Sequence, residues 1–305
     1  MSIEKSIKLI HFQITKRCNL RCSFCGQWGE KGFFSKAKGD EMSFSDWLKV
    51  ISCLKEQEIR PTIMLWGGEP LLCEYFDELV YELKKSKFKL EIVTNGTFID
   101  RKAEILSENF EKIYISVDGL ETLHDSIRGK GVFEKVSGNI RLLPKEKITI
   151  MTVATPTLDI FEFADYFREY KILLQTMIFM TRDEIKQYKD WFKESFGYDA
   201  TEIDSWEGKG FIPEYTRLPL NVELRRHCEG DAHHCMSPFS HIHIAWNGEV
   251  MYCTDFYDFS AGNVKNENLI DLWNNEKSEK FTSEIMSGNC ITCNHCSWRL
   301  EKGYN

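Results

Sequence analysis

No stretch of the 305 residues approaches the run of about 18 apolar side chains that a membrane-crossing helix needs. The opening residues, Met1-Ser2-Ile3-Glu4-Lys5-Ser6, lack the apolar segment of a secretion signal, so a cytoplasmic chain is expected. Basic residues are not in excess. Lys and Arg number 39 against 47 Asp and Glu, which leaves a net charge of −8 and a pI near 5.6. That balance excludes the electrostatic footprint of a nucleic-acid or anionic-membrane binder. Low-complexity tracts and internal repeats are also missing, apart from a strand–helix rhythm. Hydrophobic residues make up 42% and aromatics 13%, enough for a real core. Cysteine is the residue the chain does have in quantity. Eleven cysteines crowd the two ends, with only Cys53 and Cys73 between. In a reducing compartment that pattern argues for metal ligation over disulfides.

The first group is Cys18-Asn19-Leu20-Arg21-Cys22-Ser23-Phe24-Cys25, a C-x3-C-x2-C spacing. Its count of three decides the chemistry. A structural zinc site closes with four protein ligands, and an electron-transfer 4Fe–4S cluster takes four thiolates. Three thiolates leave one iron open to a substrate; the alternative is a zinc knuckle with a distant fourth ligand. The preceding segment, 8–14, reads as a buried strand, so the cysteines follow its C-terminal end, where α/β barrels build active sites.

Apolar, β-branched runs at 8–14, 62–66, 89–94, 112–117, 148–153 and 172–178 alternate with amphipathic stretches at 44–57, 74–86, 100–109, 132–143 and 159–170. The first of these has Phe44, Trp47, Leu48, Ile51 and Leu54 at helical spacing behind Ser43, an N-cap. Such alternation predicts a parallel sheet with right-handed crossovers. Six units fall short of a closed barrel, so an α/β fold with an open, TIM-like (β/α)6 partial barrel is expected. After a helix near 182–196, residues 197–230 read as a connector or a loop over the barrel mouth. The division expected is a core over 1–220 and a small cysteine-rich domain over 221–305.

Four further motifs follow the strands: Trp66-Gly67-Gly68-Glu69-Pro70, Val93-Thr94-Asn95-Gly96, Ile115-Ser116-Val117-Asp118-Gly119 and His124-Asp125-Ser126-Ile127-Arg128-Gly129. Together with the cysteine loop they resemble the radical S-adenosylmethionine (radical SAM) superfamily. The resemblance implies that Cys18, Cys22 and Cys25 hold a 4Fe–4S cluster whose open iron binds SAM. Cluster reduction then cleaves SAM to a 5′-deoxyadenosyl radical that abstracts a hydrogen atom from substrate. It also implies close backbone approach to a ligand at Gly67 and Gly68, and Glu69 on the SAM ammonium group. Asn95, Ser116 and Asp118 then face its polar groups, Arg128 its carboxylate and Phe24 its adenine.

The second cysteine group opens with Cys235 and an alternating stretch, 242–253, broken by Asn247-Gly248. That is a β-hairpin signal with positive φ at its turn, and it would fold Cys253 back beside Cys235. A helix carrying Leu269, Ile270, Leu272 and Trp273 follows, then Cys290, Cys293 and Cys296. The unit resembles the SPASM/twitch extension of radical SAM enzymes. The cysteine count fits one auxiliary 4Fe–4S cluster, held by Cys235, Cys253 and two of Cys290, Cys293 and Cys296; the alternative is a zinc ribbon. Cys53 and Cys73 read as core residues. Cys228 is either a spare thiol or a hydrogen donor to a substrate radical. The resemblance implies an oxidoreductase that dehydrogenates or epimerises a small molecule such as a sugar or aminocyclitol, or else matures a ribosomal peptide. It also implies an electron donor of the flavodoxin or ferredoxin type.

Overall fold

A computed structural model of the chain describes residues 5–28, 32, 39–175, 180–208, 218–225, 237–253, 258–288 and 290. Strand β1 (Leu9–Thr15) is buried at every position, because its two faces meet different cores. Ile10, Phe12 and Ile14 pack outward into the main core beneath the helices. Leu9, on the other face, joins Met64 and Tyr114 in a small cluster inside the sheet's concavity. Helix α1 (Phe44–Glu56) starts at Ser43, whose hydroxyl accepts from Asp46 N while the Asp46 carboxylate accepts from Ser43 N. This reciprocal cap satisfies two otherwise orphaned donors.

The rhythm then repeats through β2 (Thr62–Gly67), α2 (Phe76–Lys85), β3 (Lys89–Thr94), α3 (Ala103–Asn109), β4 (Lys112–Ser116), α4 (Glu121–Arg128), α5 (Val132–Ile140), β5 (Ile148–Val153), α6 (Ile160–Tyr166), β6 (Lys171–Gln175), α7 (Arg182–Phe196) and β7 (Val222–Arg225). After these come α8 (Ser237–Ser240), β8 (His241–Ile244), β9 (Val250–Met251), α9 (Leu269–Asn274) and α10 (Glu276–Met286). Strands β1 to β7 lie side by side in chain order, all parallel, in a nine-stranded sheet ordered β7-β6-β5-β4-β3-β2-β1-β8-β9. The edges β7 and β9 do not meet, so the barrel is open, as the count of βα units predicts.

Two differences from the sequence reading concern the ends of this sheet. The stretch read as a connector contains β7, four residues anchored by Asn221. Its side-chain amide donates to the carbonyls of Ala164 (3.2 Å), Phe167 (3.4 Å) and Tyr170 (3.2 Å). So short an edge strand leaves no periodicity to read. The second difference is that the hairpin strand β8 pairs in parallel with β1, from Leu9↔His241 to Phe12↔Ile244, and so extends the barrel sheet itself. The hairpin forms as expected, with His243↔Met251 and Ile244↔Val250 in register. Its turn is a four-residue one: Gly248 N donates to Ala245 O at 2.9 Å, and Gly248 at φ 93° takes the left-handed conformation. Among the described residues, no helix is long and apolar enough to cross a membrane.

Candidate active site

The loop leaving β1 is fixed at its base before it reaches the first cysteine. Gly68 N donates to Thr15 O at 2.8 Å and Glu69 N to Arg17 O at 2.7 Å. A side chain at either glycine would collide with this segment. An added Cβ would stand 2.4 Å from Thr15 O at Gly67 and 2.2 Å from Arg17 O at Gly68. The close approach these glycines permit is therefore to the cysteine loop's own backbone, which the strand end grips. Glu41 adds to the anchor, accepting from Thr15 Oγ1 (2.9 Å) and Lys16 N (2.7 Å).

Beyond the anchor, Cys18, Cys22 and Cys25 carry free thiols. They pack with Leu20, Phe24, Leu123, Ile127 and Val132 in one apolar cluster, while Ser23 N reaches Ile127 O on α4 at 3.0 Å. Burial raises the pKa of Cys18 and pushes the Cys22 thiol up to about 11, although Arg128 pulls the other way. A cation bound there would displace the thiol protons. Three N–H groups face sulfur: Leu20 N and the Asn95 amide on Cys18 at 3.4 and 3.9 Å, and Trp28 N on Cys25 at 3.3 Å. Among the described residues no three His, Cys, Asp or Glu side chains converge on a single-ion site; the thiols are spaced around their loop.

The strand-end motifs meet beside this loop. Glu69 is fully buried, and its carboxylate accepts from Thr94 Oγ1 (2.7 Å), Asn95 N (2.7 Å) and Leu71 N (3.1 Å). Burial still lifts its pKa to about 7, against those three donors. Asn95 donates to Asn19 Oδ1 at 3.0 Å and accepts from Thr97 N at 2.9 Å, which ties the end of β3 to the cysteine loop. Asp118 and Arg128 form a buried ion pair, Nε to Oδ2 at 2.5 Å, with side chains 1% and 11% exposed. The other Asp118 oxygen accepts from Val153 N at 3.1 Å. Burial opposes the Arg128 charge, but Asp118 together with the Cys22 and Cys25 sulfurs outweighs it, so the pKa is raised. The two terminal amino groups of Arg128 take no partner among the described residues. Ser116 lies half-buried at the end of β4, in register with Met151.

Sequence reasoning assigned no role to Asn19, Thr94 or Thr97, although Asn19 sits within the cysteine motif and the threonines flank Asn95-Gly96. Nor did it give one to His124, whose Nδ1 accepts from Asp118 N at 3.1 Å and whose pKa burial lowers to about 4. Cys53 and Cys73 are core residues, as read. Cys253 is half-buried just after β9 and Cys290 is buried in the main core. Cys228, Cys235, Cys293 and Cys296 lie outside the described residues.

An open parallel barrel with three spaced cysteines at the end of β1 and a guanidinium fork beside them, unfilled among the described residues, defines a class of enzyme. It is one that holds an iron–sulfur cluster with an unligated iron next to an anion-binding group. The family model of the radical SAM superfamily matches residues 12–173, and that of an iron–sulfur cluster-binding domain, SPASM, matches residues 235–297. The chain belongs to the radical SAM superfamily and carries a C-terminal SPASM domain. Its cofactors are accordingly SAM and 4Fe–4S clusters, and the zinc alternatives fall away. The chain is 24% identical over 327 residues (96% of this chain, 88% of the relative) to a tungsten-containing aldehyde ferredoxin oxidoreductase cofactor-modifying protein of Pyrococcus furiosus. The sporulation killing factor maturation protein SkfB of Bacillus subtilis is 32% identical over 146 residues (47% of this chain), and the match spans about a third of that protein, 34%. A crystal structure of BtrN in complex with AdoMet and 2-DOIA superposes with a TM-score of 0.59 at 18% identity, covering 99% of this chain and 98% of that one.

The residues present fit the groups the family requires. Three free thiols on one loop, screened by Leu20 and Ile127, match the ligand count of a cluster with one open iron. Arg128 offers a planar donor fork, pre-set by Asp118, at the side of Cys22.

Proposed function

We propose that this radical SAM enzyme dehydrogenates a small hydroxylated molecule of the sugar or aminocyclitol kind. One observation supports the substrate class: the fold runs end to end with that of a protein solved with AdoMet and the small ligand 2-DOIA. When bound and reduced, the N-terminal cluster supplies the electron that cleaves SAM and so starts hydrogen-atom abstraction. The chain's own residues orient and screen. Cys18, Cys22 and Cys25 hold the cluster, while Gly67 and Gly68 keep their loop gripped by β2. Arg128 takes the SAM carboxylate on its terminal amino groups, its fork fixed by Asp118. A carboxylate has about four acceptor positions, and Glu69 spends three on Thr94, Asn95 and Leu71. One remains for the SAM ammonium group. Ser116 and Asn95 face the remaining polar groups of SAM, and Phe24 lies against the adenine. Cys235 and Cys253, with two of Cys290, Cys293 and Cys296, would hold one auxiliary cluster, which would take the second electron of the dehydrogenation while the proton leaves to solvent; a flavodoxin- or ferredoxin-type protein is the reductant.

The second reading is peptide maturation, favoured by the similarity to SkfB, a maturation protein. The test uses anaerobic, reduced protein with SAM, a panel of aminocyclitols and sugars, and a set of short peptides, in D2O. The expected product is a small molecule two hydrogens lighter, with no new carbon-bound deuterium and with turnover intact in Cys228→Ala. Deuterium at the reacting carbon together with loss of turnover in Cys228→Ala establishes an epimerase. Conversion of peptides alone replaces the small-molecule reading.

A further inference from the structure

The segment from Lys16 to Trp28 closes on itself around the three cysteines. The indole Nε1 of Trp28 donates to Lys16 O at 2.5 Å and so joins the two ends of the loop. The Arg21 guanidinium lies 4.3 Å from the centre of the Trp28 ring. The same guanidinium, through Nη1, donates to the carbonyls of Cys18 and Leu20, both at 2.8 Å. Ring, fork and backbone thus form one clasp. It holds the Trp28 backbone N–H on Cys25 Sγ at 3.3 Å. The clasp lies on the outer side of the loop, since Arg21 is exposed and Trp28 half-buried.

We propose that Arg21 and Trp28 are positioning residues for the SAM-binding cluster: the clasp closes the cysteine loop and sets the donor on the Cys25 sulfur. Hydrogen bonds to ligand sulfurs are among the levers on cluster potential. The reduced cluster carries one more negative charge, so a donor to its sulfur favours reduction, and losing the donor lowers the midpoint potential. The inference rests on the family's cluster, not on the identity of the substrate.

The test uses full-length, anaerobically reconstituted protein in the forms Trp28→Phe, Trp28→Ala and Arg21→Gln. The midpoint potential is read from the electron-paramagnetic signal that changes on adding SAM, which separates this cluster from the auxiliary one. Iron release to a ferrous chelator is followed alongside. Trp28→Phe keeps a ring under Arg21 and loses only the bond to Lys16, so release from this cluster speeds up about fivefold. Trp28→Ala also loses the stack, and release speeds up by roughly tenfold or more. In both, the potential shifts negative while the auxiliary signal stays put. Arg21→Gln shifts it in the same direction. If Trp28→Ala fails to retain iron, Trp28→Phe and Arg21→Gln decide the matter through their potentials. Potentials unmoved in these variants overturn the proposal, whether or not iron release changes.

Discussion

Replacing Gly68 with alanine tests whether the glycine pair serves the cysteine loop. The new Cβ would lie 2.2 Å from Arg17 O and 2.6 Å from Lys16 O, whereas real Cβ contacts essentially never fall under 3.0 Å. The Arg17 carbonyl must therefore retreat by about 0.8 Å (3.0 − 2.2), and it is backbone, not the free end of a side chain. Two hydrogen bonds resist that retreat, Gly68 N to Thr15 O and Glu69 N to Arg17 O. Losing both costs about 2 kcal/mol, and overpacking adds about 1–3 kcal/mol. Arg17 adjoins Cys18, so the displacement enters the ligand loop directly. Gly68→Ala should lose about one cubane's iron after anaerobic reconstitution and make little 5′-deoxyadenosine with dithionite. Gly138→Ala is the control. It lies within α5 with nothing inside 4 Å of its added Cβ, and it should raise stability by about 0.5–1 kcal/mol. Wild-type iron and wild-type SAM cleavage in Gly68→Ala would refute the reasoning.

Converting Cys18, Cys22 and Cys25 together to alanine should remove about four irons and abolish SAM cleavage while the C-terminal cluster survives; 5′-deoxyadenosine from that variant contradicts the assignment. Cys235→Ala with Cys253→Ala should halve the iron of the wild type, and loss of a quarter or less means other ligands hold the auxiliary cluster. Asp118→Asn leaves Arg128 buried and unpaired, which costs on the order of 3–5 kcal/mol and should raise the KM for SAM; an unchanged KM detaches Arg128 from SAM binding. Glu69, held at about 7 by burial against an ordinary 4.5, keeps in the folded apoprotein a proton that the unfolded chain has lost. Its contribution is therefore full below pH 4.5 and lost as pH rises through about 7. Apoprotein Tm should fall over that window and flatten in Glu69→Gln; an identical slope in the variant refutes it.

What the sequence made legible was local. Ser43 caps α1 within a residue or so of its expected bounds because a capping box needs only four neighbouring residues. Asn247-Gly248 announced the hairpin because the turn's demand on φ is met by its own residues. The open barrel followed from counting βα units. What escaped depends on contacts between distant segments. Gly67 and Gly68 are glycines because the backbone of Thr15, Lys16 and Arg17 runs against them, and nothing around residue 67 says so. That Asp118 pairs with Arg128, ten residues on, cannot be read from either motif alone. Strand β7 has too few residues for a pattern, and β8's alternation fits a free-standing hairpin as well as a strand laid along β1.

That last pairing sets a timetable for the newborn chain. Strand β1 is made before every other strand of the sheet, yet the row of N–H and C=O groups along one of its sides finds a partner only when His241 and its neighbours emerge. At ribosomal rates of about 5–20 residues per second, the 232 residues from Ile10 through His241 (241 − 9) take roughly 10–50 s to make. Throughout that interval the strand that launches the cysteine loop is an unguarded edge, able to template pairing with another nascent copy. Translation halted before β8 leaves that edge open for good. The auxiliary segment thus also serves as the closing strip for the first strand of the barrel.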